Sequence, residues 1–320
     1  MLKLHCRDGK MIPDGDTLPA IAVWVDLLNP TREEELKLES QLGVLIPTRE
    51  DMEEIETSSR LYVENNAAYM TAQVAYYGGE EHLQAGPVTF CLVAGRLVTV
   101  RYVDPASFAI FCGHIEKQPV LTTDGVSTFL NLLDVIIDRT ADLIEKIEDN
   151  VDAVSKAIFR TRREIKLEAA LVDIGSSQNA IAKIRDSLVS LARLTTFAHS
   201  LDDKVLGEND GALRDTRARL RTMSQDVASL SDHVSYITGN MSFLLDAALG
   251  LISVEQNNVM KLISVVSVIF LPLTLIASIY GMNFVDMPFL KSPTAFWWTI
   301  ISMFAIAVGL IWWLRSRRWI

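Results

Sequence analysis

Apolar and polar residues follow different periods along this chain, and its first part has the pattern of a mixed α/β domain. Short apolar runs at 20–27 and 88–93, and an alternating run at 96–103, contain the β-branched and aromatic residues typical of strands. Thr31, followed closely by acidic residues, has the pattern of a capped helix start. Residues 1–124 are therefore predicted to form a small α/β domain, in which no catalytic fingerprint occurs.

The middle of the chain has the period of long helices. From Val126 onward apolar residues recur at steps of three and four and form one stripe: Leu130, Leu133, Ile137, Ala141, Ile144, Ile147, Val151, Val154 and Ile158. A second helix is predicted at about 166–198, and turn residues at 202–211 separate it from a third. No proline occurs between Pro119 and Pro272, which favours helix because proline breaks helical hydrogen bonding.

Two apolar runs near the C-terminus, 259–280 and 295–314, have about the length that a ~30 Å hydrocarbon core requires. The first contains one charged residue, Lys261, and the second contains none. Tryptophans lie near both ends of the second run, as in the aromatic belts of membrane proteins. Two transmembrane spans are predicted; the alternative is a pair of buried helices in a large soluble protein.

These patterns divide the chain into four predicted segments. After the α/β domain, residues 125–210 form a cytoplasmic helical hairpin, 211–258 a stalk helix, and 259–320 a transmembrane domain with an outer loop at 281–294. The basic tail 315–318 indicates that both termini are cytoplasmic. The N-terminus lacks the apolar run of a secretory signal, so we expect a multi-pass protein of the inner (plasma) membrane.

The charge distribution excludes one class of partner. The chain has a formal net charge of −10. From Val259 onward five basic residues and one acidic residue give +4, which leaves −14 for residues 1–258. An acidic body on a basic-flanked apolar tail argues against nucleic acid as a partner. The three cysteines form no close pair, which fits a reducing compartment.

One face of the first span alternates polar or small residues with two large apolar ones. Its members recur at steps of three and four, and we call them the polar stripe: Asn257, Met260, Ser264, Ser267, Leu271, Thr274 and Ser278. Two spans cannot enclose a pore, so a transport function requires an oligomer whose copies stack this stripe as rings. The alternative is that small residues permit close helix packing in lipid.

Three further features of the spans bear on conduction. Met260 and Leu271 are the large apolar members of the stripe, and they form either hydrophobic constrictions or ordinary packing contacts. Pro272 frees a backbone carbonyl in the middle of the span. Neither span contains Asp, Glu or His, the groups that proton-driven carriers use as relays, which favours a passive conduit.

The segment 280–284 (Tyr-Gly-Met-Asn-Phe), at the outer end of the first of two C-terminal spans, resembles the signature of the CorA family of magnesium channels. The resemblance extends through 257–261 and 269–274, and more loosely through the acidic helix at 143–149 and the α/β domain. It implies an α+β fold in which a very long stalk helix continues into the first span. It also implies a homopentamer with a pore lined by that span and an ion-sensing, funnel-shaped cytoplasmic domain.

Residue by residue, the resemblance assigns ion selectivity at the outer mouth to Gly281, Met282 and Asn283, and pore lining to members of the polar stripe. A ring of neutral amide oxygens can hold hydrated Mg2+, which gives up its water reluctantly. The chain departs from the family pattern at Phe289, where magnesium-type members have glutamate, so Asp286 is the one acid of the outer loop. A second departure is Thr222, which registers on a regulatory carboxylate of the family.

Regulatory metal ligands are predicted from carboxylates on two helices. Asp142, Glu145 and Asp149, with Glu148 and Asp152, lie largely along one side of the first long helix, and Asp226 lies one turn from Thr222. Either these residues sense ions or they form an ordinary solvated helix face.

Three functions remain open, and an enzyme is not among them because no catalytic motif occurs. The first is a Mg2+ channel that needs no cofactor and whose partners are its own copies, the bilayer and divalent cations. The second is a Zn2+ (or Co2+/Ni2+) transporter of the same family, although the five histidines show no zinc-binding spacing. The third is a non-conducting membrane-anchored sensor or scaffold.

Overall fold

The computed structural model describes residues 2–7, 11–12, 18–54, 56–78, 82–160, 167–206, 210–282, 292–317 and 319. Contacts divide the chain into two compact units, Met1–Leu245 and Asp246–Ile320. The predicted α+β fold class is confirmed, since the chain combines a mixed sheet with long helices, one of which leads into a membrane-span helix. The division into four segments stays a prediction.

The first unit contains a mixed sheet. Its strands within the described residues are β1 (Leu2–Cys6), β2 (Met11–Ile12), β3 (Ala22–Leu28), β4 (Leu61–Glu64), β5 (Ala67–Tyr77), β6 (Leu83–Val93) and β7 (Arg96–Arg101). They lie in the order β2-β1-β3-β7-β6-β5-β4. β3 and β7 pair in parallel, and all the other neighbours pair antiparallel. The three predicted strands correspond to β3, β6 and β7.

Three helices of the described residues, α5, α6 and α8, are longer than 30 residues. The full set of α-helices in that part of the chain is α1 (Arg32–Leu42), α2 (Arg49–Glu53), α3 (Thr57–Arg60), α4 (Ala106–Lys117), α5 (Gly125–Arg160), α6 (Leu167–His199), α7 (Asp203–Leu206), α8 (Asp210–Tyr280) and α9 (Ala295–Ser316). A short 3-10 helix lies at Pro119–Thr122. The predicted start of α1 is confirmed, because Thr31 and Glu34 form a capping box.

The predicted break between the second and third long helices is confirmed, since α6 ends at His199 and α8 begins at Asp210. Within this break the structure adds the one-turn helix α7, which the turn composition of 202–211 did not indicate. The carbonyl of Asp202 accepts hydrogen bonds from the amides of Val205 (2.9 Å) and Leu206 (3.2 Å), so part of the segment satisfies its backbone as helix. Residues 207–209 lie outside the described part of the chain.

The sheet is covered on both faces. On one face, Leu38 of α1 and Met52 of α2 are buried in a core with residues of β3, β6 and β7. On the other face, Trp24 packs against Phe108 and Phe111 of α4, with ring centroids 6.2 and 5.4 Å apart. The apolar stripe predicted for α5 is also buried, apart from the partly exposed Ala141. Burial of these apolar faces is the main force that holds the first unit together.

A buried ion pair joins the two parallel strands. Asp26 of β3 accepts hydrogen bonds from Arg101 Nε (3.0 Å), Arg101 Nη2 (2.8 Å) and the Thr99 hydroxyl (2.8 Å). The side chains of Arg101 and Asp26 are only 3% and 2% exposed. A charge buried this deeply is tolerated because it is paired and hydrogen-bonded.

Helix α6 takes the place of a strand at the edge of β5. β4 pairs with β5 only as far as Met70, so the rest of that edge has no strand partner. The Ser190 hydroxyl accepts a hydrogen bond from the amide of Gln73 (2.9 Å), and the Ser187 hydroxyl accepts one from the amide of Ala75 (3.3 Å). These serines satisfy donors that an open sheet edge would leave exposed.

Candidate ion pathway

Two helices of the described residues, α8 over 211–280 and α9, are long and apolar enough to cross a membrane. Almost none of their most apolar stretches is buried within the chain. A buried core helix of a soluble protein would show the opposite, so this exposure argues against that alternative. Long, exposed apolar helices require lipid or other protein to cover them.

The two spans share a seam in the second unit. On α8 the less exposed residues include Val265, Ile269, Pro272 and Ile276, at steps of four, three and four. On α9 they are Ala295, Thr299, Met303, Ala307, Leu310 and Leu314. Val265 is 8% and Leu314 is 1% exposed. One shielded stripe on each helix is the pattern of two helices packed side by side.

The polar stripe lies away from this seam. At about 100° per residue on a helix, its mean direction is about 140° from that of the seam. Its members are exposed, apart from the partly exposed Ser264, and Leu271 is 70% exposed. Because α9 does not cover the stripe, the stripe is free to face neighbouring copies of the chain. That it lines a pore stays a prediction.

Three of the four hydroxyl groups of the stripe are bonded within their own helix. Ser264 donates to the carbonyl of Met260 (2.8 Å), Ser267 to that of Ile263 (2.9 Å) and Thr274 to that of Phe270 (2.7 Å). A hydroxyl has one hydrogen and two lone pairs, so its remaining capacity is to accept hydrogen bonds. The exposed face therefore presents oxygen acceptors.

The signature segment is described only at its beginning. α8 ends at Tyr280, and the amides of Gly281 and Met282 donate to the carbonyls of Ala277 (2.9 Å) and Ile279 (3.3 Å), which caps the helix. Both residues are exposed. The sequence predictions for Asn283, Asp286 and Phe289 lie outside the described residues.

The predicted regulatory carboxylates are dispersed. Asp142 pairs with Arg139 at 3.1 Å, and Glu145 and Asp149 are exposed on α5. Asp226 is exposed on α8, where the Thr222 hydroxyl donates to its own helix. In the part of the chain that the structure describes, no three His, Cys, Asp or Glu side chains converge to hold a metal ion. Their role in binding metal stays a prediction.

The structure reveals polar pairs between α5 and α8 that sequence reasoning missed. Arg219 donates to Asp134 (2.5 Å) and to Asn131 (2.8 Å), and His233 lies 3.0 Å from Glu148. Burial raises the pKa of Asp134, with Arg219 opposing the rise and the carboxylates of Asp138 and Asp226 adding to it. Because each pair joins residues about 85 positions apart, no local pattern in the sequence indicates it.

Comparisons with known proteins give a family from the sequence and a fold from solved structures. Residues 20–318 match the family profile described as CorA-like Mg2+ transporter protein. The magnesium transport protein CorA of Salmonella typhimurium is 31% identical over 299 residues, which cover 93% of this chain and 92% of that protein. The complete structure of the CorA magnesium transporter from Methanocaldococcus jannaschii superposes with a TM-score of 0.78 at 16% identity, covering 100% of this chain and 98% of that one. The ZntB cytoplasmic domain from Vibrio parahaemolyticus gives a TM-score of 0.56 at 9% identity, covering 79% and 98%.

Proposed function

The chain belongs to the CorA family of Mg2+ transporters, and from that premise we propose that it conducts Mg2+ passively through a homopentameric pore lined by the polar stripe of α8. Support for Mg2+ comes from the Salmonella typhimurium relative, whose name assigns it magnesium transport. The subunit number rests on the sequence resemblance. The ion pathway rests on the geometry of the spans.

The observation that carries the proposal is the position of the polar stripe relative to α9. The stripe lies about 140° from the seam at 3.6 residues per turn, so α9 leaves it uncovered. Hydroxyl and amide groups are costly to expose to lipid, and a closed ring of subunits removes that cost by turning them toward water. A membrane anchor would need no such stripe, which argues against the sensor or scaffold.

The orientation of the hydroxyl groups fits a cation. Hydrated Mg2+ presents water hydrogens outward, and these donate to acceptors such as the oxygens of Ser264, Ser267 and Thr274. Neutral acceptors hold the hydrated ion without stripping its water and without the tight binding of a carboxylate ring. At the outer mouth, Gly281, Met282 and Asn283 form the selectivity ring, and Asp286 attracts cations to it.

The apolar members of the stripe are the gate. Met260 is 60% and Leu271 is 70% exposed in one subunit. Around a fivefold axis each forms a ring of large apolar side chains, and a narrow ring of this kind excludes water when it closes.

The topology and regulation follow from charge. Both termini lie in the cytoplasm of a cell whose inner membrane the protein spans, which the basic tail at 315–318 supports. Asp142, Glu145, Asp149 and Asp226 bind regulatory Mg2+ between subunits, and the protein needs no cofactor for transport.

Zn2+ is the second candidate. The replacement of a family glutamate by Phe289, which departs from the magnesium-type members, favours it.

Flux into liposomes tests the proposal. Purified protein should carry Mg2+, with zinc and cobalt as competitors, and Asn283→Ala should abolish most of the flux. Asn258→Ala is the matched control, because it also replaces an asparagine by alanine. Its side chain points about 100° away from that of Asn257 around α8, so it lies off the polar stripe. Zinc flux without magnesium flux would show that the chain is a Zn2+ transporter of the same family. Silence with every ion, in folded oligomeric protein, would refute transport.

A further inference from the structure

A cleft of about 520 Å³ opens in the first unit at Leu61, where β4 begins and α6 takes over the edge of β5. Arg60, at the end of α3, lies on one wall, and Lys183, Arg185 and Arg193 of α6 lie on the other. The single carboxylate among the lining residues is Asp186. The lining therefore carries a formal charge of +3 in a chain whose net charge is −10.

The basic residues of the cleft lack carboxylate partners in the part of the chain that the structure describes. Across the described residues, none of the four forms an ion pair with a carboxylate. Arg60 Nε donates to the backbone carbonyl of Glu54, which orients the guanidinium group but leaves its charge in place. Burial, and then the field of Arg193, lower the pKa of Arg60, so two arginines approach closely enough to repel one another. Arg60 and Lys183 are half-buried, whereas Arg185 and Arg193 are exposed at the mouth of the cleft.

The walls also provide neutral polar groups and one apolar side. Thr71 and Gln73 of β5 and Ser190 of α6 line the cleft beside the arginines. Leu61 and the exposed Val189 form the apolar side. A few converging polar groups against an apolar wall, in a volume of this size, are typical of small-molecule sites.

We propose that this cleft binds a polyphosphate anion, with a nucleoside triphosphate as the ligand that fits it best. Planar guanidinium groups bind phosphate oxygens in pairs, and Arg60 and Arg193 face the same cavity from opposite walls. Lys183 and Arg193 are ten residues apart on α6, about 15 Å along the helix. A single phosphate group cannot span that distance, whereas a triphosphate with its nucleoside extends along it and places its base against the apolar side.

Calorimetry on the full-length protein in detergent tests the site. The titrants are ATP, inorganic tripolyphosphate and orthophosphate, each with and without Mg2+. We expect one site per subunit, binding of both triphosphates well above that of orthophosphate, and weakening at high salt. Arg193→Gln should weaken binding about tenfold or more, because a charge-assisted hydrogen bond to phosphate is lost. Arg60→Gln should do the same.

The control is Arg214→Gln, which removes an exposed arginine of α8 that does not line the cleft. It should leave binding unchanged. Circular dichroism and size-exclusion chromatography show whether each variant is folded and oligomeric.

Tighter binding of ATP than of tripolyphosphate would identify a nucleotide as the ligand. Equal binding of the two would show that the site recognises the phosphate chain alone, and either result supports the site. No binding of either triphosphate by folded wild type, or wild-type binding in both Arg193→Gln and Arg60→Gln, would overturn the proposal. Binding is measured without flux, so a failure of transport leaves this test intact.

Discussion

Replacing Asp26 by asparagine should destabilise the first unit by about 3–5 kcal/mol, because it leaves the buried charge of Arg101 uncompensated. Asp26 accepts three hydrogen bonds, at 2.8, 2.8 and 3.0 Å. Asparagine keeps the volume but supplies no charge and fewer acceptor sites. Asp104 still contacts Arg101 from the surface, with its side chain 69% exposed, so we expect the lower end of the range.

Buried thiols provide the assay. Cys6 on β1 and Cys91 on β6 are 0% exposed, and burial raises the pKa of the Cys91 thiol to about 12, so both should react with a maleimide dye only as the unit unfolds. A loss of about 3 kcal/mol corresponds to a fall in Tm of about 6–12 °C for a unit of this size. Asp104→Asn is the control, and the exposed partner should cost under about 1 kcal/mol.

The comparison of the two variants decides the matter. If the Tm of the Asp26→Asn variant equals that of Asp104→Asn within error, the buried ion pair does not stabilise the contact between β3 and β7 as its geometry indicates. The double variant Asp26→Asn/Arg101→Met should recover much of the loss, because it removes the uncompensated charge. Failure to recover would mean that the loss comes from packing.

Three other changes have definite expected results. Gly125→Ala places a methyl group 2.4 Å from the backbone of Arg96 and should lower Tm by several degrees, whereas Gly113→Ala, which enters open space, should not. His5 is buried, and burial lowers its pKa from 6.5 to about 4. Between these two pKa values His5 is protonated in the unfolded chain but neutral in the folded one. About 3 kcal/mol of folding stability should therefore be lost as pH falls from 6.5 to 4. In melting scans, His5→Phe should make Tm less dependent on pH over this range. Leu271→Ala should widen the constriction and raise Mg2+ flux into liposomes several-fold. Leu262→Ala, on the other side of α8, is the control and should leave the flux unchanged. Equal fluxes in the two variants would count against Leu271 as part of the gate.

Features that depend on neighbouring residues could be predicted from the sequence. The α5 stripe, the Thr31 cap and the two spans each follow from a local period or composition, and each occurs in the structure. The fold class followed from these patterns together with the family resemblance of the segment 280–284.

Features that depend on residues far apart in the chain could not be predicted. Asp26 and Arg101 are separated by 75 positions, and Arg60 and Arg193 by more than a hundred, so no spacing rule connects them. The turn composition of 202–211 predicted the break between α6 and α8 but not the one-turn helix α7 within it, whose first hydrogen bonds Asp202 accepts. For Asn283, the residue on which the selectivity prediction depends, the flux variant is the test.

The short length of β4 has a consequence for how the basic cleft could vary among relatives. β4 stops pairing at Met70, while β5 continues to Tyr77, and α6 fills the remaining edge with Ser187 and Ser190. An insertion that lengthened β4 by two or three residues at its start would extend its pairing along β5 to about Gln73 and displace Ser190 of α6. The cleft would then narrow without any substitution of its basic residues. The length of chain between α3 and β4, rather than the identity of those residues, would decide which relatives keep the pocket.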